Sequence, residues 1–123
     1  MSAILSSGNI ALHVTIYIDP KNVEPFMIAL RSVRSCLIEE PECLLFDVFC
    51  SDSRPGIIRL VEVWAGDREW FENIQLKKEY YGPFMTITKP MWLQPMEAEH
   101  FSRVQDSAFV ADGYLSEGVG TRG

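Results

Sequence analysis

Two apolar runs of eight residues, "CLLFDVFC" (Cys43–Cys50) and "IIRLVEVW" (Ile57–Trp64), flank the six residues "SDSRPG". Runs this short, rich in Val, Ile, Phe and Trp and joined by turn-forming residues, read as the strands of an antiparallel hairpin. Neither run alternates cleanly between apolar and polar, and that constrains the fold most. Leu44, Phe46 and Val48 oppose Leu45, Asp47 and Phe49. A sheet with one face in water would show polar residues at every second position, so both faces of this hairpin need cover.

The flanking segments supply part of that cover. "IALHVTIYI" (Ile10–Ile18) is a β-branched strand, again apolar on one side (Leu12, Val14, Ile16, Ile18) and mixed on the other (His13, Thr15, Tyr17). Asp19 and Pro20 then provide a cap and a first helical residue. Val23, Phe26, Met27, Leu30, Val33 and Leu37 fall on one helical stripe reaching to about Glu40, where "EEPEC" ends it. Asp67 is the expected cap of a second helix carrying Trp70, Phe71 and Ile74. Gly82-Pro83 interrupts this helix, and a short helical piece runs on to about Ile87. "MWLQPME" (Met91–Glu97) is the expected fourth strand, confined to an edge by Pro95. Past about Gln105 the chain turns Gly- and Ser-rich. The division is thus one domain over residues 1–105 and a flexible tail over 106–123.

The order is β-α-β-β-α-β, an α+β, ferredoxin-like antiparallel sheet. Two helices cover one face of such a sheet. The apolar second face calls for a second copy packed sheet to sheet, a symmetric homodimer. Each apolar side chain buried there contributes roughly 1.5–3 kcal/mol, against an association cost of about 4–15 kcal/mol.

Composition narrows the partners. A net charge of -6 with no basic patch or tail argues against nucleic acid and against anionic membranes. The N-terminus lacks a secretory leader, and Cys36, Cys43 and Cys50 form an odd set among apolar residues. These features predict a cytoplasmic protein with reduced thiols and no metal site. No P-loop, dinucleotide fingerprint or Ser-His-Asp order is present.

Glu62 is the residue that asks for an explanation. Period-two alternation places Leu60, Glu62 and Trp64 on one side of the third strand, with Arg59, Val61 and Val63 on the other. A carboxylate beside an indole is costly to bury unless something pairs with it. Sorting positions by character gives an aliphatic set (Leu12, Val14, Ile16, Ile18, Val61, Val63, Leu93) and a mixed set (His13, Thr15, Tyr17, Leu60, Glu62, Trp64, Trp92, Gln94). If each set shares a face, the mixed one has the make-up of a small-molecule pocket, with aromatic walls and a few polar groups. Strand register decides whether it does.

The element order together with "EEPECLLFDVF", "RPGIIRLVEVW" and "WFENIQLKKEYYGPF" resembles the antibiotic biosynthesis monooxygenase family over roughly His13 to Gln94, and "LHVTIYIDP" and "NIQLKKEYY" resemble its fungal secondary-metabolism branch. The resemblance implies a dimeric α+β barrel and a cofactor-independent oxygenase that converts an aromatic polyketide, a phenol or anthrone, to a quinone. It also implies site residues: His13 as general base, with Glu62 orienting it or serving as the base instead. Trp64 stacks on the substrate. Asn73, Gln75, Tyr80 or Tyr81 donates hydrogen bonds to the developing oxyanion. Tyr17 and Trp92 join the substrate-binding residues from the mixed set, as part of its aromatic wall. Tyr80 and Tyr81 are adjacent, so a regular helix would aim only one of them squarely inward. The same pocket suits a cofactor-free lyase, isomerase or cyclase working by proton transfer, and a non-catalytic binding module would share the fold.

Overall fold

The structure is a computed structural model describing residues 6–115. It contains β1 (Ser6–Tyr17), α1 (Val23–Leu37), β2 (Cys43–Cys50), β3 (Ile57–Trp64), α2 (Arg68–Asn73), α3 (Tyr81–Thr88) and β4 (Glu97–Val104). The four strands form one sheet in the order β2-β3-β1-β4, with every neighbouring pair antiparallel. This is the ferredoxin-like α+β arrangement expected from the sequence. Among the described residues no helix is long and apolar enough to cross a membrane.

Local chemistry sets the element ends. The Asp19 side chain accepts a hydrogen bond from the Lys21 amide, and Pro20 opens a single 3-10 turn that leads into α1. Phe26, Ala29, Leu30, Val33 and Leu37 of α1 are buried, the stripe that helical periodicity demands. In the β2–β3 turn Arg54 N donates to Ser51 Oγ, and Ile57 N donates to Arg54 O. The first strand starts at Ser6, earlier than expected. Gly8 has φ 86°, and the β1–β4 register shifts between Ser6 and Ile10. "SSGN" therefore carries a bulge inside the strand.

The fourth strand departs from expectation. It runs over "EAEHFSRV" and not over Met91–Glu97. Lys89–Met91 instead forms a 3-10 turn, Trp92 makes one isolated bridge to Ile18, and Leu93 N donates to Tyr17 O. Pro90 and Pro95 cannot donate to a ladder, so the apolar stretch between them docks at a single point, leaving Leu93 exposed. The true strand is a polar edge strand with little apolar periodicity to reveal it. The second helix also divides differently. Its break comes at Gln75–Tyr80, whereas Gly82 and Pro83 lie in the first turn of α3, where a missing N–H costs nothing.

Register decides the composition of each face, and it reverses the grouping expected from the sequence. Leu12 pairs with Glu62, Val14 with Leu60 and Ile10 with Trp64, while His13 pairs with Val61 and Thr15 with Arg59. Directly opposed residues of an antiparallel pair share a face. Glu62 and Trp64 thus belong to the aliphatic face that α1, α2 and α3 cover. His13, Thr15 and Tyr17 belong to the helix-free face with Arg59, Val61 and Val63. The core lies on the helix side, from Ile10, Leu12, Val14 and Ile16 through Ile58, Leu60 and Trp64 to Phe26, Leu30, Phe71 and Phe84. On the helix-free face Phe49 and Phe101 are 48% and 47% exposed. Of the expected tail, residues 106–115 are exposed throughout, and 116–123 lie outside the described residues.

Gly56 joins the hairpin turn to the end of β1. Ile18 N donates to Gly56 O at 2.8 Å, and a Cβ at Gly56 would overlap the Ile18 carbonyl oxygen. Gly56→Ala is expected to lower unfolding stability by about 2–4 kcal/mol. Gly82→Ala, in an α3 position with open space around it, should raise it by about 0.5–1 kcal/mol. Paired urea titrations check both.

Candidate active site

The Glu62–Trp64 end of β3 holds a polar cluster inside the helix-covered layer. Both side chains project from one strand, two residues apart, so they share the inner face. Trp64 Nε1–H donates to Glu62 Oε1 at 2.9 Å. Trp64 is itself held by tilted ring contacts to Trp70 and Phe71 of α2, with centroids 6.2 and 5.7 Å away. Glu62 is 7% exposed and Trp64 0%. Burial pushes the Glu62 carboxyl up to about 7, with the indole hydrogen bond pulling the other way.

The segment between α2 and α3 brings a second set of polar groups within electrostatic reach of Glu62. Gln75 is 0% exposed and donates from Nε2 to the Tyr80 hydroxyl at 2.7 Å and the Tyr81 hydroxyl at 2.9 Å. The Tyr80 hydroxyl in turn donates to Glu40 Oε2 at 2.6 Å, and Lys78 Nζ lies 3.2 Å from the same oxygen. Burial, opposed by the Gln75 hydrogen bond and reinforced by the Glu62 charge, raises the Tyr81 phenol above its ordinary range. Burial followed by the Glu40 hydrogen bond does the same for Tyr80. Cys43, paired with Trp64 across β2 and β3, is raised by burial and then by the charges of Glu62 and Glu40. The cluster can store a proton on Glu62 near neutrality, and it offers hydroxyl and amide groups nearby.

The structure brings together Glu62, Trp64, Gln75, Tyr80 and Tyr81. It does not bring His13 to them. His13 stands on the opposite face with its ring 5.0 Å from that of Phe101. Tyr17, also on that face, donates to Glu97 Oε1 at 2.7 Å. Asn73 is the exposed last residue of α2. Trp92 bridges Ile18, eight residues along β1 from the Ile10 that pairs with Trp64. At about 3.3 Å per residue, Trp92 sits roughly 26 Å along the strand from the cluster. Both tyrosine hydroxyls reach Gln75 because Tyr80 precedes α3 instead of lying within it. Glu40 escaped the sequence reading: "EEPEC" shows a helix stop, and nothing local marks one of its carboxylates as a partner of a tyrosine 40 residues on.

The Glu62 pKa has a stability consequence. A carboxyl at about 7 in the fold and near its ordinary value of 4.5 in the unfolded chain binds its proton more tightly when folded. Its contribution is fully present below the unfolded pKa and is lost as pH rises through the folded one, in total roughly 3 kcal/mol. Urea titrations between about pH 4 and about pH 8 should show the wild type losing stability of that order relative to Glu62→Gln, which keeps an acceptor for Trp64 but has no proton to lose.

The fold and cluster can be set beside known proteins. The family model described as "Antibiotic biosynthesis monooxygenase" matches residues 9–73, which include Glu40, Glu62 and Trp64 and stop short of Gln75. A putative monooxygenase of Pestalotiopsis microspora is 32% identical over 96 residues, 78% of this chain and 80% of that protein. Among solved structures, a putative antibiotic biosynthesis monooxygenase from Nitrosomonas europaea superposes with a TM-score of 0.73 at 17% identity, covering 82% of this chain and 95% of its own. One from Caulobacter crescentus gives 0.71 at 16% identity, covering 83% and 95%. By its family match and by its fungal relative, this chain belongs to the antibiotic biosynthesis monooxygenase family.

Proposed function

We propose that this monooxygenase-family protein is a cofactor-independent oxygenase of secondary metabolism that oxidises an aromatic polyketide, with Glu62 as its base. The observation that carries this reading is the buried Glu62 carboxyl at about 7, fixed by Trp64, with its charge felt by the Tyr81 phenol. A carboxylate poised near neutrality can take a proton from a phenol or anthrone and later return it. His13 faces the other side of the sheet and has no part in this chemistry.

The step balances without a metal or flavin. Glu62 removes a proton from the electron-rich ring system, leaving a carbanion-like anion and a neutral carboxyl. The anion gives one electron to dioxygen, and the resulting radical and superoxide combine into a C–O bond. The peroxide anion recovers the proton from Glu62, and loss of water leaves the quinone. Trp64 supplies a flat apolar wall, and the Tyr81 hydroxyl stabilises negative charge on the substrate oxygen. Entry to the covered cluster requires the 74–81 segment to swing outward, a gating motion of the kind that commonly encloses reactive anions.

The helix-free face belongs to a second copy in the same reading. Val61, Val63, Phe49 and Phe101 form its apolar part, and His13 and Tyr17 serve that surface.

Oxygen consumption tests the chemistry. With a hydroxyanthrone, wild-type protein should consume one dioxygen per quinone formed, and Glu62→Gln should lower kcat by roughly 10²–10⁴. Product formed equally fast without oxygen would overturn the oxygenase in favour of proton-transfer chemistry, a lyase, isomerase or cyclase. Light scattering tests the assembly: the wild type should be a dimer and Val61→Asp a monomer, with the far-UV spectrum retained.

A further inference from the structure

The polar cluster contains a hydrogen-bond chain whose direction is set from outside it. Glu40, just past the end of α1, has its pKa lowered, chiefly by the Tyr80 hydrogen bond and with help from Lys78. Ionised, it can only accept. Tyr80 has a single hydroxyl proton and spends it on Glu40 at 2.6 Å. The Tyr80 oxygen can therefore only accept from Gln75, and this fixes which end of the amide faces the tyrosines. The same amide nitrogen also donates to Tyr81. Two consequences follow for the interior. The Tyr81 oxygen is used as an acceptor, so its own O–H is uncommitted among the described residues. Gln75 Oε1 is buried with no partner among the described residues. A fully buried acceptor without a donor is expensive in a resting protein, which makes it a candidate for a ligand contact.

We propose that Glu40 is a positioning residue: by fixing the direction of the chain Glu40–Tyr80–Gln75–Tyr81 it makes Tyr81 present its O–H, and Gln75 its carbonyl, to the substrate. The role assigned to the substrate here rests on the oxygenase reading, but the direction of the chain does not. A site presenting one donor and one acceptor in this way suits a ring system with a carbonyl or oxyanion beside a hydroxyl, the functional edge of a hydroxyanthrone. Accepting a hydrogen bond from Gln75 polarises the Tyr81 O–H and makes it the stronger donor. Lys78 pairs with Glu40 but lies outside the chain, and so separates direction-setting from simple cross-linking.

Nitrogen-15 NMR of the Gln75 side-chain amide tests the chain with no substrate present. In the wild type both amide protons should exchange slowly with water. Glu40→Gln is nearly isosteric but leaves Tyr80 free to donate elsewhere, and it should speed that exchange by about tenfold. Tyr80→Phe should do the same, with no further change in the double variant. Lys78→Met should match the wild type. Equal protection in Glu40→Gln and wild type would overturn the proposal, as would a Lys78→Met effect as large as that of Glu40→Gln. Kinetics with the hydroxyanthrone form the second arm: Glu40→Gln should lower kcat about tenfold with KM within about twofold, because the donor acts on charge that develops in the transition state. Unchanged kcat in an active enzyme refutes the positioning role. An inactive wild type refutes the oxygenase reading, and the amide exchange still decides the chain's direction.

Discussion

The hydrogen bond from Trp64 to Glu62 is the interaction around which this structure is organised. A carboxylate on the core side of a sheet is tolerated only with a partner, and the nearest donor on its own strand is the indole two residues on. The indole is in turn held by Trp70 and Phe71, which α2 can present because Asp67 caps its start by accepting from the Trp70 amide. A capping aspartate thus fixes the helix, the helix fixes the tryptophan, and the tryptophan fixes the acid. One hydrogen bond does not offset the whole desolvation, so the acid remains near neutrality in its titration. That residual imbalance is the chemical capacity of the site.

The two faces of the sheet divide the molecule's tasks. The inner face is aliphatic along most of β1 and turns polar only where β3 ends. The outer face mixes apolar rings with cross-strand polar pairs, Arg59 Nε donating to Thr15 Oγ1 and Tyr17 to Glu97. Such pairs satisfy polar groups within the sheet plane and leave the apolar area between them available for contact with another surface. A base placed on that outer face would be shared with the contact surface; a base on the inner face is insulated from it.

Most of the fold was legible because hydrophobic period survives in a single sequence. The first three strands and α1 declared themselves through Leu12–Ile18, the Cys43–Trp64 hairpin and the Phe26–Leu37 stripe. The fourth strand did not, because an edge strand such as "EAEHFSRV" buries little and needs no apolar alternation. Parity within a strand is readable, because period-two alternation puts Leu60, Glu62 and Trp64 on one side whatever the register. Parity between strands is not. Whether Leu12 or His13 meets Glu62 depends on a one-residue register that turn lengths and packing set jointly, and either choice leaves each strand's own pattern intact. The site inherited that ambiguity: the Glu62–Trp64 pair was visible, its separation from His13 was not, and Glu40 carried no local signal.

The break between α2 and α3 gives the cluster its last component. In an unbroken helix, at about 100° per residue, Gln75, Tyr80 and Tyr81 would point in widely different directions, with roughly 140° between Gln75 and Tyr80 and roughly 120° between Gln75 and Tyr81. Only an irregular segment lets both hydroxyls converge on one amide nitrogen. The 3-10 turn at Gln75–Lys77 and the extended Lys78 that follows it provide that irregularity. The same segment has its hydrophobic residues, Ile74 and Leu76, turned outward, and its polar Gln75 turned in. This inversion costs core burial that a regular amphipathic helix would have kept. It gathers an amide and two phenols within reach of the charge of Glu62, the one buried acid among the described residues, so the fold gives up helical regularity at the point where the polar groups of the site must meet.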